Sequence, residues 1–218
     1  MTVCSDFPVE LAYFAKVWQQ WQSLDFGSLD VDCTLRPLHL FAEASVEFLA
    51  TLPFQERVWM PGQEALAGDA GEPAMVVFAG GSIATATPRE EGDPVSLYGG
   101  AAVGARCLLG FPLEVAGVRV EHVSRGWVLS MEGFVAALSA APDEHQRIVR
   151  QVLPGLVEPP KAKDLQKWVS LLAEISVASC EQLAECTTLQ LVLPGAAFCT
   201  EGRAARGAAV VRHGECVT

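Results

Sequence analysis

Apolar side chains at Leu11, Phe14, Val17, Trp18 and Trp21 recur at intervals of three and four, the period of a helix with one buried face. Asp6 and Pro8 supply its start signals. A second helix is expected around Leu38 to Thr51, where Leu40, Phe41, Val46, Phe48 and Leu49 provide the apolar positions. From about Glu56 to Val128 the helical period gives way to short runs, RVWM, AMVVFAG, SIATAT, PVSLY, VRVEHV and GWVLS, separated by Gly, Pro and Asp. That texture predicts an all-β roll or barrel. SMEGFVAALSAAP and DEHQRIVRQVL then read as two helices, the second opened by Pro142 and Asp143 and ended by Pro154, Gly155, Pro159 and Pro160. Beyond this break, Leu165, Trp168, Val169, Leu171, Leu172 and Ile175 define one more amphipathic helix before the chain turns β-rich again.

The return of β character is an internal repeat. RVWMPGQEALAGDAGEPAMVVFAGGSIAT can be laid without a gap on QLVLPGAAFCTEGRAARGAAVVRHGECVT, so that Pro61 and Gly62 fall on Pro194 and Gly195, Val77 on Val210, Gly81 on Gly214 and Thr85 on Thr218. Upstream, with a one-residue shift, Ala44, Ser45, Glu47, Leu49 and Ala50 fall on Ala178, Ser179, Glu181, Leu183 and Ala184. The expected organisation is α+β: an N-terminal helix and linker over 1–35, a β-roll with flanking helices over 36–153, a Pro-rich linker over 154–164, and an incomplete second roll over 165–218. An incomplete roll leaves strand edges open, so Thr218 is read as a fragment boundary or truncated gene, or the second roll as completed by another chain.

Composition narrows the function classes. With 15 basic against 26 acidic residues the formal charge is −11, which repels phosphate backbones and anionic lipid, so neither nucleic acid nor membrane insertion is expected. The seven cysteines form no CxxC pair, which argues against a disulfide framework or a zinc site. His39, His122, His145 and His213 share no metal-ligand spacing. No signal peptide or spanning segment is evident, and a cytoplasmic protein is expected. GxSxG, HExxH and GxxxxGK are all missing, and Ser82 and Ser130 have no local catalytic partner. A non-enzyme is expected.

LHLF (38–41), VWMPGQ (58–63), GDAGEP (68–73), MVVFAGG (75–81), GGAAVGARCLLGFPLEVAGV (99–118) and GWVLSMEGFVAAL (126–138) stand in an order that resembles the cyclic nucleotide-binding domain family. The resemblance implies a phosphate-binding cassette, in which a Gly-rich turn and a short helix offer N–H groups to a cyclic phosphate and an arginine adds a bidentate cation. Family members that bind nucleotide open the cassette with Phe-Gly-Glu and close it with Pro-Arg-Ala-Ala. Here Val103, Gly104 and Ala105 take the first place, followed by Arg106, Cys107 and Leu108, while Leu113, Glu114, Val115 and Ala116 take the second. A one-residue adjustment moves Leu113 onto the arginine position. The ribose acceptor and the phosphate-binding cation are both gone, and Glu114 would repel phosphate.

Weak or lost cAMP or cGMP binding follows, with room for a neutral ligand. Arg106 and Arg119 are read as surface residues, Trp127 and Trp168 as core, Cys180 and Cys186 as buried thiols, and RAARGAAVV (203–211) as part of the second roll. In this family ligand moves the helices that follow, here 131–153 and 164–178. The resemblance therefore implies a non-catalytic regulatory module with a protein partner, of which a protein kinase catalytic domain is one kind. The alternatives are a genuine cAMP or cGMP sensor, or the regulatory fragment of a larger cyclic-nucleotide-regulated kinase or channel. A DNA-binding activator is disfavoured, because no basic helix–turn–helix follows the roll.

Overall fold

A computed structural model describes residues 8–24, 26–67, 72–89, 91–193, 196–197 and 209–211. They fall into two compact units, Met1–Ala137 and Leu138–Thr218.

In the first unit α1 (Pro8–Gln22) leads through α2 (Val31–Leu35) and α3 (Val46–Thr51) into eight strands. Asp30 accepts from Cys33 N, and Ser45 from Phe48 N, so each short helix has a side-chain cap. The single helix expected over 38–51 is thus only its last turn and a half. Residues 36–44 form successive turns, in which Leu38 N bonds to Leu35 O and Phe41 N to Leu38 O. Arg36 pins this stretch by donating to the carbonyls of Ala42 and Ala44.

The strands are β1 (Gln55–Trp59), β2 (Glu64–Ala67), β3 (Ala74–Phe78), β4 (Ile83–Pro88), β5 (Val95–Tyr98), β6 (Ala102–Val103), β7 (Val115–Val120) and β8 (Ser124–Ser130). They make two antiparallel four-stranded sheets, ordered β1-β8-β3-β6 and β2-β7-β4-β5, and the expected α+β roll is present. Strands β2 and β6 were not expected. EALA carries no β-branched or aromatic residue, and a two-residue strand shows no period, so both arise from pairing with β7 and β3.

Alternation along the strands separates two buried surfaces. Trp59, Val76 and Phe78 from the first sheet meet Leu66, Ala84, Ala86, Val118 and Val120 from the second in one inter-sheet core. Met75, Val77 and Leu129 point the other way and are buried too. Phe41 and Phe48 both pack edge-on against Phe134, at centroid distances of 6.1 and 6.3 Å, at the start of α4 (Met131–Ser139).

The buried face expected for α1 is corrected. Phe14, Trp18 and Trp21 stay exposed, at 66%, 54% and 38%. The C-terminal end of the helix and the residues after it are anchored. Gln20 Oε1 accepts from Val123 N at 3.0 Å. Ser23 O lies so close to Gly81 that a Cβ there would sit 2.7 Å away, and Gly81 has φ +80°. Gly27 O accepts from Arg125 Nη1 at 2.7 Å. Arg125, its side chain only 5% exposed, also donates to Glu56 Oε1 at 2.8 Å and stacks near Phe26 and Trp127. Trp127 covers a cation rather than filling a core.

The second unit begins within α4 and continues through α5 (Pro142–Arg147). Pro154 does not end this helix. A wider π turn spans Ile148–Val152, with Leu153 N bonding back to Ile148 O, and α6 (Leu153–Leu156) follows with proline in its first turn, where no N–H is needed. The helix expected over 165–175 is also interrupted. α7 (Ala162–Trp168) stops at the extended Val169, a 3-10 turn occupies Ser170–Leu172, and α8 (Val177–Glu185) restarts where Ser176 accepts from Ser179 N. Trp168 is 39% exposed, not core. Cys180 is buried as expected, but Cys186 is exposed at the end of α8. His145 Nε2 lies 2.8 Å from Leu191 O. Residues 187–193, 196–197 and 209–211 carry no strand, and the rest of the second repeat, including Pro194, Gly195, Gly214, Thr218 and most of RAARGAAVV, lies outside the described residues.

The Arg125 hydrogen bond holds the Glu56 carboxyl below the ordinary glutamate range, against an opposing effect of burial. A carboxylate with a depressed folded-state pKa stabilises the fold above its unfolded pKa and loses that contribution as pH falls through the folded value. Urea unfolding of Glu56→Gln is therefore expected to show a deficit against the parent at neutral pH that closes below about pH 4.3. A deficit independent of pH would contradict this.

Candidate functional site

The cassette residues run from the end of β6 to the start of β7. Val103 pairs with Val76 of β3. Gly104 then turns the chain with φ +88°, and a Cβ at this position would run into the Ala74 carbonyl, so only glycine fits. Ala105–Leu109 form a five-residue 3-10 turn, closed by Gly110 at φ +79°. Cys107 N bonds to Gly104 O at 2.9 Å, and Phe111 N to Arg106 O at 3.3 Å. The short helix expected after the Gly-rich turn is this single 3-10 turn.

Burial divides the candidate residues. Cys107 and Leu113, 5% and 7% exposed, belong to the inter-sheet core, with Val103 and Val115 packed against it. Leu108 is buried, Ala105 is half-buried, and Glu114 and Ala116 are exposed. The Leu113 position, one of the two candidates for the missing arginine, therefore points into hydrocarbon. Burial pushes the Cys107 thiol up, and the nearby Glu114 charge adds to this while Arg89 and Arg106 oppose it.

Arg106 is partly exposed, as expected of a surface residue, yet it is engaged. Its Nη1 donates to Glu114 Oε1 at 3.1 Å, and its guanidinium carbon lies 5.2 Å from the centre of the Phe111 ring. Its Nε is buried with no hydrogen-bond partner. Arg119, the other candidate cation, is exposed on β7, opposite Glu64 and Thr85. Sequence reasoning singled out Arg106 and Glu114 but set them in separate roles. Phe111 was missed altogether, because an apolar residue after a Gly turn carries no period that marks it as a ring beneath a cation.

Among the described residues no group of three or more His, Cys, Asp or Glu could hold a metal, and no helix is long and apolar enough to cross a membrane.

No protein-family model matches the chain, and no curated protein matches it. Solved structures do. The chain is similar to a cyclic nucleotide-binding-like protein from Brucella abortus (20% identity, TM-score 0.43, covering 51% of this chain and 99% of that one). It is similar to the N-terminal domain of a transcriptional regulator from Streptomyces coelicolor A3(2) (19%, 0.45, 56% and 90%). It is also similar to the regulatory domain of Toxoplasma gondii PKA, crystallised with cAMP (13%, 0.40, 52% and 46%).

Because Leu113 fills the core, Leu113→Ala is expected to cost about 2–5 kcal/mol of stability, whereas Ala116→Ser on the exposed face changes it by less than about 0.5 kcal/mol. Equal effects in chemical denaturation would mean that the cassette lies outside the core. In native-state thiol labelling followed by peptide mass spectrometry, Cys186 is expected to react while Cys107 and Cys180 are modified only on unfolding. Native labelling of Cys107 would show that the turn opens.

Proposed function

We propose that this chain is a non-catalytic regulatory module of the cyclic-nucleotide-binding type whose cassette no longer takes cAMP or cGMP, and that its working surface is met by a protein partner. The observation that carries the reading is the entry of Cys107 and Leu113 into the inter-sheet core. Cassette side chains there serve as wall and filling of the roll. At the two polar positions, Ala105 offers no acceptor for a ribose hydroxyl, and Glu114 brings a negative charge where a phosphate would need a positive one. The order of sequence pieces from LHLF to GWVLSMEGFVAAL supports the family assignment. Signalling would then run along the chain into the helices after β8. A partner of the kinase-catalytic-domain type and a second roll beginning at 165 remain part of this proposal.

A genuine sensor with an unorthodox cassette is the competing reading, and one feature favours it: Arg106 retains a buried Nε with no partner, a donor that an anion would satisfy. Thermal-shift and calorimetric titration of the full chain with cAMP and cGMP separates the two. The proposed module is expected to show no stabilisation by either nucleotide. A gain on the order of 2.7 kcal/mol at a hundredfold excess over the dissociation constant would make it a sensor.

A further inference from the structure

The Arg106–Glu114 pair joins the two ends of the cassette. Arg106 sits in the 3-10 turn after Gly104, and Glu114 lies just before β7. Between them Gly110, Phe111 and Pro112 reverse the chain, and Phe111 places its ring against the same guanidinium. One face of the cation is thus covered by an aromatic ring, while one of its N–H edges is taken by a carboxylate at 3.1 Å. With that carboxylate removed, the Arg106 guanidinium would be open to a small anion.

We propose that Glu114 is a built-in anion: it occupies the Arg106 guanidinium, holds residues 104–114 closed without any ligand, and masks a site for a small oxyanion such as a phosphate group. This rests on the proposed reading of the roll as a cyclic-nucleotide-type module, and it adds the reason why the one cation in its cassette turn is not open to phosphate. The two charged side chains are 41% and 59% exposed, so the lock is a shift in population rather than a permanent closure. A partly exposed pair changes an equilibrium by up to about fivefold. Removing the repelling carboxylate acts in the same direction, because Glu114 would stand beside any anion bound to Arg106.

The test uses the full chain, inorganic phosphate and cAMP as probes, and the variants Glu114→Gln and Glu114→Gln/Arg106→Gln. Hydrogen exchange of amides 104–114 and the Arg106 side-chain N–H resonance are followed through a phosphate titration at fixed ionic strength. Glu114→Gln is expected to raise exchange in 104–114, and to tighten phosphate binding relative to the parent, each by up to about fivefold. Phosphate should restore protection, and the double variant should lose the gain. Unchanged exchange with unchanged phosphate affinity would overturn the lock while leaving the ligand-free reading of the roll intact. If the parent binds cAMP and Glu114→Gln binds it more tightly, the ligand-free reading fails and the lock stands. If both bind cAMP equally, both fail. A gain that survives in the double variant would place the anion elsewhere and overturn the role given to Arg106.

Discussion

The arrangement of the roll depends on the turn at Gly104. With no Cβ, the chain passes against the Ala74 carbonyl at positive φ and folds back beneath β3. This brings Cys107, and after a second reversal Leu113, into the gap between the two sheets. A two-sheet core needs its ends filled as well as its faces, since voids forfeit dispersion contacts on their lining. Here the filling comes from the same short segment that the sequence marks as a ligand cassette.

Two arginines show how environment sets what a cation does. Arg125, almost fully buried, is dressed by a carboxylate, a backbone carbonyl and two aromatic rings, as a desolvated charge must be. It binds the segment after α1 to the roll, and so makes that segment part of the first unit. Arg106 lies at the surface, where water shares the cost of its charge. One carboxylate and one ring engage it, and one N–H is left over. The first arrangement is buried and closed, while the second is partly exposed to solvent.

Much of the fold was legible in the sequence because its β-rich runs are bounded by Gly and Pro. RVWM, AMVVFAG, SIATAT and PVSLY all correspond to strands. EALA did not announce itself, since its pairing with β7 is a tertiary effect. The periodic stripe of α1 misled in a specific way. Period tells which residues share a face, but not whether another element covers that face, and Phe14 and Trp18 stay exposed. In the same way, the apolar positions from Leu165 to Ile175 gave no sign that Val169 would be extended. At the cassette, the sequence shows Ala105, Leu113 and Glu114 where the resemblance leads one to expect an acceptor and an arginine. The pairing of Arg106 with Glu114, and the ring of Phe111 beside them, depended on a loop closure that no period encodes.

Cys107 and Leu113 of the cassette occupy the interior of the roll. Methyl-resolved NMR on the full chain, labelled at leucine and valine, tests this placement directly. Nuclear Overhauser contacts are expected from the Leu113 methyls to the methyls of the inter-sheet core, unchanged when cAMP is added. Solvent-like Leu113 methyl shifts without such contacts, or a displacement of these methyls by nucleotide, would contradict it.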